Sequence, residues 1–130
     1  MPEARSADNH CTILIAEDDE ALRESLTALL RSDEHEILQA GDGEDALRVL
    51  QGGAVDVLVL DLHMPKLDGA ELLGRIDVPP PQVIIYSAFE YFEIDEIERR
   101  FGNKISSALR KPVPPRTLIS VVEHACSVGH

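Results

Sequence analysis

Five polar residues in this chain have the types that cation and phosphate chemistry uses, and each stands at the end of an apolar run. Glu17 and Asp18 follow Thr12-Ile13-Leu14-Ile15-Ala16, and Asp61 follows Val57-Leu58-Val59-Leu60. Ser87 follows Val83-Ile84-Ile85-Tyr86, and Lys111 comes just after Ile105 to Leu109. In an open α/β sheet, functional groups gather beyond the carboxyl ends of the strands, so all five are expected on one edge. Three carboxylates that close repel one another unless a cation or raised pKa values relieve them. A hard divalent ion with oxygen ligands is the natural partner, and Mg2+ is the one that cooperates with phosphate. Lys111 and Ser87 then suit two oxygens of a phosphoryl group, one by charge and one by hydrogen bonding. An acid after a strand often only caps the next helix. Five polar residues at matching strand ends are a more specific signal. Asp19 fits the helix N-terminus better than the metal shell.

The elements that must position these residues are legible as five strand and helix patterns in alternation. After the first strand, Leu22, Leu26, Leu29 and Leu30 recur at helical spacing behind a cluster of acids. A short strand from Glu36 to Ala40 leads through Gly41-Asp42-Gly43 to a second helix with Ala46, Leu47 and Leu50, ending at Gly52-Gly53. Val55 to Leu60 is the most strand-like segment. Four apolar residues in succession suit a central parallel strand covered on both faces. A third helix is expected near Ala70 to Ile76. Pro79-Pro80-Pro81 then forbids helix and leads into the fourth strand. The fourth helix places Ile94, Ile97 and Phe101 on one face, with Glu90 and Glu93 at its start, Arg99 and Arg100 at its end, and Gly102 beyond. The last helix, after Pro112, Pro114 and Pro115, buries Leu118, Val122 and Ala125, with Ile119 beside them. Strands alternating with helices imply right-handed crossovers and one parallel sheet. Residues 1–10 read as a flexible tail and 11–130 as one domain.

Composition narrows the function classes. With 130 residues and 44% apolar content the chain can bury a sizeable core. No apolar run approaches the ~20 residues needed to span a bilayer, and the first ten residues lack the apolar stretch of a secretory signal. A formal charge of −12 repels nucleic-acid backbones and anionic lipid, which argues against direct binding to either. Cys11 and Cys126 form neither a metal motif nor a disulfide framework. They read as two small buried or half-buried residues in a reducing cytoplasm.

Several strings also resemble one family. Ile13-Leu14-Ile15-Ala16-Glu17-Asp18-Asp19 resembles the opening of a response regulator receiver domain. Leu60-Asp61-Leu62-His63-Met64-Pro65-Lys66-Leu67-Asp68-Gly69 is similar to its acceptor segment, Ile85-Tyr86-Ser87-Ala88 to its hydroxyl step, and Leu109-Arg110-Lys111-Pro112 to its Lys-Pro step. The similarity runs in order from about Thr12 to Ala125. It implies a flavodoxin-like three-layer α/β fold, with a five-stranded parallel sheet in order 2-1-3-4-5 and five helices. It implies that Asp61 accepts a phosphoryl group from a sensor histidine kinase, a histidine phosphotransfer protein or acetyl phosphate. Mg2+ would be held by Asp18, Asp61 and the backbone carbonyl of His63, with Glu17 binding directly or through water. Ser87 and Lys111 would stabilise the phosphoryl group and drive the switch, and Lys111-Pro112 would be a cis peptide. The protein would be a cytoplasmic signalling module rather than a turnover enzyme, acting on a downstream protein target. No output segment follows Ala125, so it reads as a stand-alone receiver, although a piece of a longer regulator would read the same.

One departure bears on switching. Many receivers carry Tyr or Phe three residues before the lysine, and here that position is Ala108; Tyr86, Phe89, Tyr91 or a shift of the fourth helix is expected to substitute. Val113 also stands where an aromatic is common. Phe89, Tyr91 and Phe92 suit either a partner surface or half-buried packing. Asp68-Gly69 reads as a turn. The histidines His10, His35, His124 and His130 lack metal-ligand spacing. An Mg2+-dependent aspartyl phosphatase would want a second aspartate two residues after the nucleophile, where His63 stands. A flavin carrier would want a phosphate-cradling loop after the first strand, where Glu17-Asp18-Asp19 has the wrong charge. A degenerate receiver is argued against by the full set of polar residues.

Overall fold

A computed structural model describes residues 10–128. All but the last residue of the expected N-terminal tail, and His130, lie outside the described residues. The elements follow the alternation expected: β1 (Cys11–Ala16), α1 (Glu20–Leu30), β2 (His35–Ala40), α2 (Gly43–Gln51), β3 (Val57–Leu60), α3 (Gly69–Arg75), β4 (Gln82–Ser87), α4 (Tyr91–Phe101), β5 (Ser107–Arg110) and α5 (Pro115–Val128). The strands form one parallel sheet in order β2-β1-β3-β4-β5.

Successive side chains of a strand point to opposite faces, so each central strand feeds two cores. Leu14, Leu58, Leu60, Val83 and Ile85 lie in the core that also holds Ala46 of α2, Leu72 and Leu73 of α3, and Ile94, Ile97 and Phe101 of α4. Ile13, Ile15, Val57, Val59, Ile84 and Tyr86 lie in the other core, with Leu26 and Leu30 of α1 and Leu118, Val122 and Ala125 of α5. Side chains such as Ile13, Leu58, Leu60 and Ile85 are fully out of solvent, each removing roughly 1.5–3 kcal/mol of apolar exposure.

The chain enters α1, α2 and α3 through capping aspartates. Asp19 accepts a hydrogen bond from the Leu22 amide at 3.1 Å and Asp42 from the Asp45 amide at 2.8 Å. Asp68 accepts from the Glu71 amide at 2.8 Å while Glu71 accepts from the Asp68 amide at 3.1 Å, a reciprocal capping box. Asp68-Gly69, expected to be a simple turn, therefore opens α3.

Three other expectations are corrected. Leu29 is 55% exposed, because the buried stripe of α1 runs through Leu26 and Leu30 and is narrower than its leucine pattern. The fifth strand begins at Ser107 rather than Ile105, since a 3₁₀ turn over Gly102–Lys104 extends the exit from α4. Cys11 and Cys126 are joined in a disulfide, with Cα atoms 5.7 Å apart. The crossover that lays α5 beside α1 on one face of the sheet brings the first residue of β1 next to the end of the last helix, and both cysteines share one core.

Candidate functional site

Parallel register decides which residues share the carboxyl edge. Ala16 pairs with Leu60, so Glu17 and Asp61 leave adjacent strands side by side. Leu60 pairs with Ile85, which sets Ser87 just beyond Asp61 on the neighbouring strand. Ser87 pairs with Arg110, and the Lys111 amide donates to the Ser87 carbonyl at 2.9 Å. The four strand ends thus converge on one pocket, as their sequence positions predict.

Within it, Glu17, Asp18 and Asp61 each offer a carboxylate oxygen, and the three atoms lie within 4.8 Å of one another. Glu17 and Asp61 are buried and Asp18 is exposed. Lys111 Nζ donates to Glu17 Oε1 at 2.8 Å and stands 3.6 Å from Asp61 Oδ2. Ser87 Oγ donates to Asp61 Oδ1 at 2.7 Å, and the His63 amide donates to the same oxygen at 3.0 Å. The Leu62 amide donates to Ser87 Oγ at 3.2 Å. Both buried acids therefore have partners, as burial of a charge requires.

Burial pushes the Glu17 carboxyl above its ordinary range, and the hydrogen bonds from Lys111 and the Asp19 amide offset only part of that rise. Burial works against the Lys111 ammonium too, but its hydrogen bond to Glu17 and the charge of Asp61 outweigh it, leaving the lysine raised and cationic. A pocket with one cation for three acids still favours a further positive charge. Its donor set, all hard carboxylate oxygens, fits Mg2+.

The remaining candidates separate. Asp19 caps α1, as expected. The His63 ring meets Glu93 of α4, with Nε2 3.2 Å from Glu93 Oε2. Lys111-Pro112 is cis. Ala108 pairs with Ile85 and packs against the core that contains Phe89. Tyr86 lies in the opposite core with its ring centroid 5.1 Å from Lys111 Nζ. Tyr91 and Phe92 are exposed, and the Arg110 guanidinium lies 4.8 Å from the Tyr91 centroid.

Two participants went unread in the sequence. Glu93 was seen only as a helix-start acid, and Arg23 was not singled out. Arg23 Nη1 donates to the Glu17 carbonyl at 2.7 Å. A lone base on α1, six residues after the first acid, was the available signal.

Sheet order, two-sided helix cover and an acidic pocket bordered by hydroxyl and ammonium groups define a flavodoxin-like α/β protein with an acidic strand edge whose donor set suits a cation. The chain belongs to the response regulator receiver domain family, whose profile matches residues 13–123. It is similar to the response regulator protein FleR of Pseudomonas aeruginosa, 33% identical over 110 residues, which cover 85% of this chain and 23% of FleR. It is also similar to the transcriptional regulatory protein PdtaR of Mycobacterium tuberculosis, 31% identical over 119 residues covering 88% of this chain and 56% of PdtaR. The chain therefore spans less than two thirds of either relative. Among solved structures it resembles the N-terminal domain of the uncharacterized protein WS1339 from Wolinella succinogenes, with a TM-score of 0.79, 35% identity, and coverage of 91% of this chain and 95% of that one. The acidic pocket of Glu17, Asp18 and Asp61 is consistent with Mg2+ binding and aspartate phosphorylation.

Proposed function

We propose that Asp61 is the phosphoryl acceptor of a two-component relay and that its phosphorylation switches the binding of a downstream protein. The donor is the phosphohistidine of a sensor histidine kinase or of a histidine phosphotransfer protein, with acetyl phosphate as a small-molecule substitute. An Asp61 carboxylate oxygen attacks phosphorus, the bond from phosphorus to the donor nitrogen breaks, and the imidazole departs, leaving a mixed carboxylic–phosphoric anhydride.

The observation that carries this reading is the environment of Asp61. It is buried, its Oδ1 accepts from Ser87 and the His63 amide, and its Oδ2 lies 3.6 Å from Lys111. Asp18, Asp61, the backbone carbonyl of His63 and, directly or through water, Glu17 would hold Mg2+. When bound, Mg2+ supplies the charge neutralisation that lets an anionic phosphoryl group approach an acidic pocket. Lys111 would exchange Glu17 for a phosphoryl oxygen, and Ser87 would exchange Asp61 for another.

The same reading makes the protein a switch and not a turnover enzyme. His63 occupies the position where an aspartyl phosphatase would need its acid, and its ring is engaged with Glu93. The net charge of −12 favours protein partners over nucleic acid or membrane. Among the described residues no helix is long and apolar enough to cross a membrane. A cytoplasmic location is proposed. The reading concerns the receiver unit, whatever else the full protein carries.

Intact-mass measurement after incubation with acetyl phosphate and Mg2+ tests it. One phosphate adduct is expected on the parent and none on Asp61→Asn. An adduct that survives the substitution, or none on the parent, overturns the assignment.

A further inference from the structure

Two of the three acids in the pocket are held by hydrogen bonds to their side chains. Glu17 receives Lys111 and the Asp19 amide, and Asp61 receives Ser87 and the His63 amide. Asp18 differs. Its carboxylate is exposed, and no hydrogen bond or ion pair from the described residues holds it. Only its backbone therefore sets where that side chain starts and which rotamers reach the pocket.

The backbone there is tied by Arg23. The carbonyl of Glu17 belongs to the peptide group whose nitrogen is that of Asp18, so the 2.7 Å bond from Arg23 Nη1 fixes the plane on which Asp18 is mounted. Arg23 is itself anchored. Its Nε donates to Gln39 Oε1 at 3.1 Å and its amide to the Asp19 carbonyl at 2.9 Å. Its guanidinium lies against Gly41, where an added Cβ would come within 3.3 Å of Nη1. Helix α1, the end of β2 and the loop after β1 thus converge on one peptide group.

We propose that Arg23 is a positioning residue of the cation site, acting through the Glu17–Asp18 peptide group to present Asp18 toward Glu17 and Asp61. The inference rests on the Mg2+ reading above and assigns the site a determinant outside its acids. Charge and positioning here have opposite signs. A guanidinium bonded to the backbone of this acidic loop repels an incoming cation, so its removal on electrostatic grounds alone strengthens metal binding. Removal of a group that orders a ligand weakens it.

The sign of the change decides between them. Amide NMR spectra of the full chain, titrated with MgCl2, give the dissociation constant directly and need no phosphorylation. Arg23→Ala is expected to bind Mg2+ roughly five- to tenfold more weakly than the parent, the scale of one lost ordering hydrogen bond. Arg23→Lys, which keeps one donor, should fall between the two. Arg23→Ala affinity equal to or tighter than that of the parent overturns the proposal, as does a lysine variant no better than alanine. Gln39→Ala removes only the anchor of Nε and should weaken binding by a smaller factor. If Arg23→Ala fails to fold, the lysine and Gln39 variants decide, and unchanged affinity in both overturns the proposal. A parent that takes up phosphate while Arg23→Ala keeps full Mg2+ affinity defeats this inference alone. A parent without Mg2+ affinity defeats the functional reading and this inference together.

Discussion

Ser87 and Asp61 are bonded directly, hydroxyl to carboxylate, at 2.7 Å across the ends of β4 and β3. The hydroxyl is thus engaged with the proposed acceptor itself, and in that reading it must change partner to reach a phosphoryl oxygen. Ser87→Ala should still take up phosphate from acetyl phosphate. Its response should be weak, because the group that links the phosphoryl site to the start of α4 is gone. The readout is the change in amide spectra of residues 87–94 on adding beryllofluoride, large in the parent and diminished in the variant. An equal change in both refutes the role given to Ser87.

Lys111 bridges Glu17 at 2.8 Å and Asp61 at 3.6 Å. Lys111→Ala removes a charged hydrogen-bond partner worth about 1.5–3 kcal/mol, which corresponds to a phosphorylation rate lower by roughly tenfold or more. Glu17, already raised by burial, would lose its strongest opposing contact and rise further. Intact-mass time courses with acetyl phosphate measure the rate. A rate equal to that of the parent contradicts the assignment.

Gly43 opens α2 against the loop that follows β3. A Cβ there would overlap the Leu67 carbonyl oxygen and stand 2.6 Å from Leu67 Cβ. Gly43→Ala should therefore destabilise the fold by about 1–3 kcal/mol, since the obstacle is backbone that cannot swing aside. Gly102 is the control: nothing lies within 4 Å of an added Cβ, and its φ of −57° suits alanine. Gly102→Ala should be neutral or stabilising by about 0.4–1 kcal/mol. Thermal denaturation of both variants compares them, and equal loss would contradict the packing argument.

Asp42 gives the pH dependence its sign. The Asp45 amide, and to a lesser degree Lys66 with Nζ at 3.5 Å, hold its carboxyl below the usual range despite partial desolvation. A depressed folded-state value means stability that is present above the unfolded value of about 3.9 and is lost as pH falls through the folded value. Asp42→Asn keeps a capping oxygen but does not ionise. The stability gap between parent and variant should shrink as pH falls from about 6 to 2, read by urea denaturation at each pH. A gap independent of pH contradicts the linkage.

The legible part of this protein was local. Continuous apolar runs marked the central strands because helices cover both faces of the sheet, and Asp19 stood where a cap is needed, whereas Asp42 and Asp68 read as turn residues and proved to be caps as well. Departures arose where local pattern and global packing differ. Leu29 has the right spacing for a buried face but lies outside the stripe that meets the sheet. Phe89, Tyr91 and Phe92 look alike in sequence, yet Phe89 is buried and the other two are exposed. Ala108 leaves Tyr86 as the aromatic beside Lys111, on the face that packs under α1 and α5 rather than under α4.

By itself, the sequence determined which residues end the strands and that acids, a hydroxyl and a lysine would share one edge. That follows from alternation and polarity, which act over a few residues. Tertiary structure alone decided the pairings between distant segments: Lys111 with Glu17 across 94 positions, Cys11 with Cys126 across 115, and Arg23 with the peptide group that carries Asp18. Such contacts depend on strand order, register and the side on which each crossover passes. Those are settled by burying two faces of one sheet at once, a condition on the whole chain that no short segment contains.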